Sequence, residues 1–308
     1  MQQLRIATRR SALALWQAEH VAARLREHHP DLEVTLVPIV TTGDRIQDRP
    51  LAAVGGKGLF IKELEVAIGE GRADLAVHSM KDVPAALPEG FVIGAVLPRA
   101  DPRDAFLSLK HRSFASLPAG ARVGTSSQRR QSILRAARRD LAIVPLRGNV
   151  DTRLRKLDAG EFDAIVLAAA GLTRLGFAAR ITEYLAPDVS LPAVGQGIVG
   201  IECRGGGAVQ ELVAALDDAP TRDCLAAERA LAARLEGSCT SPIAGFARHG
   251  AAGLELEGLV GAPDGSVVYR DRISGPAATA GVLGRTLAER LLAAGAAELL
   301  ASLRAPGD

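Results

Sequence analysis

The sequence predicts an α/β protein: two similar, doubly crossed-over α/β domains around a cleft, followed by a small α+β third domain. Three observations carry this expectation. Over the first two thirds, short apolar runs alternate with amphipathic stretches of helical period, the pattern of mainly parallel sheets covered on both faces. Proline-containing stretches at 97–103 and 191–197 bracket a block of about 90 residues that repeats the strand-helix style of the first block. Beyond Pro220 the style changes to one helix, three strands separated by Gly and Asp turns, and a closing Ala/Leu-rich helix. The expected domains are therefore 1–98 with 196–219, 99–195, and 220–308.

Taken in order, apolar runs predict strands at 4–8, 34–39, 74–77, 91–97, 105–109, 122–125, 141–146, 164–168 and 198–203. Ser11 is a suitable N-cap for a long helix that stops before Pro30, and 59–69 and 131–138 have amphipathic spacing. The segment 42–58 holds Gly43, Pro50, Gly55, Gly56 and Gly58 with no sustained period, so it reads as a mobile loop or lid, with Lys57 its lysine. In the last block a helix is expected at 222–235, strands at 243–248, 254–261 and 267–273, and a helix running to about 303.

Composition excludes several classes. The 308 residues are 48% hydrophobic and 23% charged, with 37 basic against 35 acidic side chains, as in a folded globular chain. No apolar run approaches the roughly 18–20 residues that span a bilayer, and a strand-like segment stands where a signal peptide would carry its apolar core, so a cytoplasmic protein without membrane contact is expected. Cys203, Cys224 and Cys239 form no close pair, which points to free thiols and no metal site. Only five of the 37 basic residues are lysines, leaving 32 arginines, and between positions 122 and 155 nine arginines face two acids. That local excess is aimed at an anion. With 3% aromatic residues and no nucleic-acid-binding signature, the anion is not expected to be a nucleic acid.

Two segments carry the same anion-binding logic. Val123-Gly-Thr-Ser-Ser-Gln-Arg-Arg runs from a strand through hydroxyl residues into a helix, so backbone N–H groups, Ser126, Ser127 and the forks of Arg129 and Arg130 would converge on a carboxylate or phosphate. Leu146-Arg-Gly-Asn-Val-Asp-Thr-Arg repeats it with Arg147 at a strand end and Arg153 in the next helix. Read blandly, the serines are only helix caps and the arginines a solvated face. His78-Ser-Met-Lys-Asp follows a strand; His78 reads as a satisfied core histidine, whereas Asp82 is placed to stabilise a developing cation or move a proton, unless it merely pairs with Lys81. Cys239, in a Gly/Ser turn, is presented for covalent attachment, unlike Cys203 within an apolar strand.

Together these segments resemble one family. Ile6-Ala-Thr-Arg-Arg-Ser-Ala-Leu, Val54-Gly-Gly-Lys-Gly-Leu-Phe-Ile-Lys, Ala76-Val-His-Ser-Met-Lys-Asp-Val-Pro, residues 123–130, Leu146-Arg-Gly-Asn-Val, Leu191-Pro-Ala-Val-Gly-Gln-Gly and residues 235–242 match, in order, the motifs of porphobilinogen deaminases, also called hydroxymethylbilane synthases. The resemblance implies a transferase with periplasmic-binding-protein-like domains 1 and 2, which joins four porphobilinogen units head to tail into the linear tetrapyrrole hydroxymethylbilane and releases ammonia. It implies a dipyrromethane cofactor in thioether linkage to Cys239, held by Lys81, Ser127, Arg129, Arg130 and Arg147. Asp82 is then the catalytic carboxylate, and Arg9, Ser11, Phe60, Arg153 and Arg174 are substrate contacts. A monomer is expected from the family, with a hand-off of product to uroporphyrinogen-III synthase. Ala53 departs from the family pattern, where a lysine is common. A solute-binding module with two hinged lobes is the rival class; the third domain and the loop cysteine argue against it.

Overall fold

The computed structural model describes residues 3–45, 61–236, 241–251 and 253–303. In chain order its elements begin β1 (Gln3–Arg9), α1 (Ala12–His28), β2 (Glu33–Ile39), α2 (Thr42–Arg45), α3 (Lys62–Gly69), β3 (Leu75–Ser79) and β4 (Phe91–Val96). They continue with β5 (Asp104–Leu107), β6 (Arg122–Gly124), α4 (Gln128–Ala137), β7 (Ala142–Val144), α5 (Val150–Asp158), β8 (Ala164–Ala168), α6 (Ala169–Arg174) and β9 (Glu183–Leu185). The last are β10 (Val199–Arg204), α7 (Ala208–Val213), α8 (Ala219–Arg234), β11 (Ile243–Gly250), β12 (Gly253–Gly261), β13 (Val268–Gly275), α9 (Ala280–Leu291) and α10 (Ala297–Leu303). No described helix is long and apolar enough to cross a membrane.

The chain divides into two compact units, Met1–Ala100 with Gly197–Arg222, and Asp101–Gln196 with Asp223–Asp308. The first holds a five-stranded sheet in the order β2-β1-β3-β10-β4, with β1 parallel to β2 and β3, and β10 antiparallel to both its neighbours. Alternation along β1 and β3 explains its two covered faces: Ile6, Leu75 and Val77 enter the core under α1, while Ala7 and Ala76 pack against Leu64, Ala67 and Ile68 of α3. Helix α1 starts where expected, the Ser11 side chain accepting from Ala14 N, and buries Ala14, Ala18, Val21, Ala22 and Leu25 at spacings of three and four.

One expectation here is corrected. Thr42–Arg45, assigned to the irregular segment, forms a helical turn. Its first N–H is satisfied from afar, Thr42 N donating to Glu63 Oε1 at 2.7 Å, a contact that local periodicity does not encode. The rest of the expected lid, 46–58, lies outside the described residues.

The second unit repeats the topology, with order β7-β6-β8-β5-β9, β6 parallel to β7 and β8, and β5 antiparallel to β8 and β9. Strand β9 was not anticipated; three residues without an apolar run leave no period to detect. Helix α4 begins at Gln128, three positions before the expected start, because Ser127 rather than a later residue caps it. The same unit contains the antiparallel sheet β11-β12-β13, covered by α8 and α9 through Leu231, Leu256, Leu287 and Leu291. A small cluster of Ile133, Leu191, Ala244 and Leu259 joins this sheet to α4. The expected closing helix is broken: Gly295 takes φ of 117°, and a Cβ there would stand 2.5 Å from the Tyr269 hydroxyl.

Gly284 on α9 lets that helix approach α8 so closely that a Cβ would lie 2.2 Å from Ala227 O and 2.7 Å from Ala230 Cβ. Gly284→Ala is expected to destabilise the protein by about 1–3 kcal/mol through this overpacking. At Gly281, on the same helix, the nearest atom to a Cβ is Arg285 Nη1 at 3.5 Å. There Ala should be neutral or stabilising, by up to about 1 kcal/mol. Thermal denaturation of both variants checks the contrast, and equal melting temperatures would contradict the packing account.

Candidate active site

In the first unit the parallel pairing of β1 with β3, through Ile6 opposite Leu75, brings the carboxyl ends of both strands to one edge of the sheet. Arg9 closes β1 and Ser11 caps the helix after it. After β3 the chain turns through a short 3-10 helix, Met80–Asp82. That turn is pinned by Met80 N donating to Ile198 O at 3.0 Å and by the burial of the Met80 side chain. Gln17 Nε2 donates to Ser79 Oγ at 2.8 Å, tying α1 to the same edge. Lys81 and Asp82 are half-buried there. The Asp82 carboxylate has no hydrogen-bond or ion-pair partner among the described residues, and no Lys81–Asp82 pair forms. His78 is the core histidine its apolar surroundings suggested: it is buried and its Nε2 lies 2.8 Å from Glu202 Oε2 on β10.

In the second unit every strand of the parallel group β7-β6-β8 is followed by a segment that carries arginine. Beyond β6, Ser127 caps α4 and its side chain accepts from Arg130 N, which places Arg129 and Arg130 in the helix's first turn. Beyond β7, Arg147 follows the buried Leu146, and Asn149 caps α5 by accepting from Thr152 N at 2.9 Å. Arg153, on α5, donates from Nε to Gly148 O at 2.8 Å. Beyond β8, Arg174 sits in the last turn of α6, where burial pushes its pKa down to about 10, leaving it cationic at neutral pH. Ser126 departs from expectation: its hydroxyl donates to Leu146 O at 2.9 Å and accepts from Leu146 N at 3.1 Å, so it ties two strand ends together instead of facing a ligand.

The largest departure concerns Arg129 and Arg130. They are only 3% and 6% exposed, and both grip Asp104, which is fully buried. Arg129 Nη1 donates to Oδ2 at 2.8 Å and Nη2 to Oδ1 at 3.1 Å; Arg130 reaches Oδ1 from Nε at 3.0 Å and from Nη2 at 2.7 Å. Ser190 Oγ and Gln196 Nε2 add bonds of 2.7 and 2.9 Å to the same carboxylate. Burial by itself would push the Asp104 carboxyl up, but the two guanidiniums overcome this and hold it well below the usual carboxylate range. Burial pulls Arg129 downward, with Asp104 opposing. The sequence reading missed Asp104, Ser190 and Gln196. An acid at the start of the apolar run Ala105-Phe-Leu was the available signal. Lys57, Phe60 and Cys239 lie outside the described residues.

Comparison with known proteins covers the whole length. A family profile described as "Porphobilinogen deaminase, dipyromethane cofactor binding domain" matches residues 4–211, and "Porphobilinogen deaminase, C-terminal domain" matches 223–293. The porphobilinogen deaminase of Chromobacterium violaceum is 56% identical over 306 residues, covering 99% of each chain. That of Xanthomonas euvesicatoria pv. vesicatoria is 57% identical over 305 residues, 98% of this chain and 100% of the other. The chain belongs to the porphobilinogen deaminase family.

Among solved structures, the periplasmic VFT2 domain of Bordetella pertussis BvgS has 14% identity, covers 69% of this chain and 86% of that one, and gives a TM-score of 0.42. The methionine binding protein MetQ has 15% identity, 70% and 89% coverage, and a TM-score of 0.43. A porphobilinogen deaminase needs a site for a polycarboxylate cofactor, and the second unit's donor set fits one. Two guanidiniums share one buried carboxylate, leaving a positive charge over, and Arg129 Nε is buried without a partner among the described residues.

Cys203 and Cys224 are buried. Burial, reinforced by Glu202, pushes the Cys203 thiol up to about 11. At pH 8 its thiolate fraction is then on the order of one in a thousand, so alkylation of the native protein with iodoacetamide is expected to leave Cys203 unmodified until denaturant is added. Peptide mapping by mass spectrometry checks this; rapid native labelling of Cys203 would contradict its placement.

Proposed function

We infer that this transferase joins four porphobilinogen molecules head to tail into hydroxymethylbilane, releasing ammonia at each addition, from a dipyrromethane primer held in thioether linkage by Cys239. The observation that carries the site assignment is the Asp82 carboxylate, half-buried at the carboxyl end of β3 without a partner among the described residues. A carboxylate kept out of ion pairs retains its charge for a cation that appears during reaction.

The residues divide the work. Arg129, Arg130, Arg147, Ser127 and Lys81 hold the carboxylate arms of the dipyrromethane, and Arg9, Ser11, Phe60, Arg153 and Arg174 hold those of porphobilinogen, with Lys57 in the lid. When bound, the dipyrromethane supplies the nucleophilic pyrrole carbon for the first addition. As the C–N bond of porphobilinogen breaks, ammonia leaves with the electron pair and positive charge develops on the substrate's methylene carbon and ring. Asp82 stabilises that charge and accepts a bond from the pyrrole N–H; it can then take up the proton released when the new C–C bond is complete. In this reading the reaction is cytoplasmic and the product passes to uroporphyrinogen-III synthase.

Asp82→Asn keeps size and one acceptor oxygen but removes the charge. Turnover is expected to fall about 10²-fold or more with the melting temperature unchanged, while Asp82→Glu keeps partial activity. Near-normal turnover with a lowered melting temperature would refute the catalytic role. Intact mass of the purified protein should exceed the sequence mass by one dipyrromethane, and the adduct should persist in Cys203→Ser and Cys224→Ser. A fully active protein of unmodified mass would overturn the reading.

A further inference from the structure

We propose that Asp104 is a positioning residue for anion binding, holding Arg129 end-on so that the donors on the Nε–Nη2 edge of that guanidinium are not spent on the protein and remain for a carboxylate. The inference rests on the reading of Arg129 as a cofactor contact. A guanidinium has five N–H donors in a rigid plane, so which of them the protein consumes fixes which edge a ligand can use.

Arg129 spends Nη1 on Asp104 Oδ2 at 2.8 Å and on Leu191 O at 2.6 Å, and one Nη2 hydrogen on Asp104 Oδ1 at 3.1 Å. What remains is the Nε hydrogen and the second Nη2 hydrogen, which lie side by side on one edge and match the two oxygens of a carboxylate. Arg129 Nε is buried and unpartnered among the described residues, a donor that a structure does not leave dry without reason. Arg130 is used the other way round. It presents Nε and Nη2 side-on to Asp104 Oδ1, at 3.0 and 2.7 Å, and gives Nη1 to Val166 O at 3.1 Å, so it braces the carboxylate with most of its donors committed.

The carboxylate is itself held by its strand and by neutral donors. Asp104 opens β5 and is paired there with Ala168 and Leu185, while Ser190 Oγ and Gln196 Nε2 fix its two oxygens. It therefore orients the arginines and does not follow them. Because two guanidiniums share it, one positive charge stays uncompensated in a buried setting, a charge that an incoming anion would neutralise.

The test uses the full chain as Asp104→Asn, Asp104→Glu and Ser190→Ala, the last deleting a single bond to Oδ2. Three quantities are read: the fraction carrying the adduct by intact mass, the melting temperature, and kcat per loaded molecule. Asp104→Asn is expected to lower the loaded fraction about tenfold, with Asp104→Glu recovering part of it. Ser190→Ala, which keeps the charge, should lower the loaded fraction roughly threefold with kcat per loaded molecule within about twofold of wild type. Normal loading beside a lowered melting temperature in either Asp104→Asn or Ser190→Ala would overturn the proposal, and Ser190→Ala decides it should Asp104→Asn not fold. A wild-type chain without any adduct would refute the functional reading instead. Asp104 is then judged on porphobilinogen affinity by calorimetry, where wild type above Ser190→Ala above Asp104→Asn supports the proposal and equal affinities overturn it.

Discussion

Two guanidiniums cannot be buried side by side without a counter-charge, and in this protein one carboxylate meets that constraint. Asp104 accepts six hydrogen bonds from four residues, drawn from the first turn of α4 and the segment ending at Gln196. Taking ions out of water costs several kcal/mol each, and such a group is stable only when its geometry is complete. The constraint therefore reaches well beyond one ion pair. It fixes where β5 begins and how α4 enters the unit, and Gln196 Nε2 extends it to Pro102 O at 2.7 Å, joining the two segments where the chain passes between units.

The two five-stranded sheets solve one topological problem in the same way. Each has three parallel strands whose middle member comes first in sequence, then one antiparallel strand, then an edge strand. The antiparallel strands, β5 and β10, are in both cases the first strand after a passage from the other unit. Parallel strands with helical connections expose their carboxyl ends at one edge, which is where open α/β sheets place ligand-binding groups. What differs is the chemistry set there. In the first unit β3 is followed by a carboxylate without an ion pair among the described residues, and in the second each of the three parallel strands is followed by a segment that carries arginine.

How much of this was legible in the sequence follows from the range of the interactions. Strands such as β1, β3 and β8, buried on both faces, announce themselves as apolar runs, and the Ser11 cap and the core setting of His78 are local facts. The local excess of arginine between positions 122 and 155 is also visible as charge density. What cannot be read is the partner of a side chain far away in sequence: Asp104 lies 25 residues from Arg129, and Ser126 spends its hydroxyl on Leu146, 20 residues on. For the same reason the Thr42 turn depends on Glu63, and the break at Gly295 on the ring of Tyr269. Motif spacing singles out the arginines as a group, but not which of their donors are already spent.

That accounting explains why fixed arginines suit a ligand that carries many carboxylates. Ordering a long side chain on binding costs about 0.5–1.5 kcal/mol for each one immobilised. Arg129 is already held by Asp104 and Leu191 O, and Arg153 by Gly148 O, so that cost falls on folding instead of on each binding event. Lysines, with a compact charge on a flexible stem, would lose more freedom for each contact. Catalysis asks for the opposite disposition. A charge that develops only in the transition state is best met by a group not neutralised beforehand, and Asp82 is the carboxylate at the edge of the first sheet that the described structure leaves without a partner. In the proposed reaction the permanent charges of the ligand thus meet side chains that the protein has locked, and the transient charge meets one that it has left unpaired.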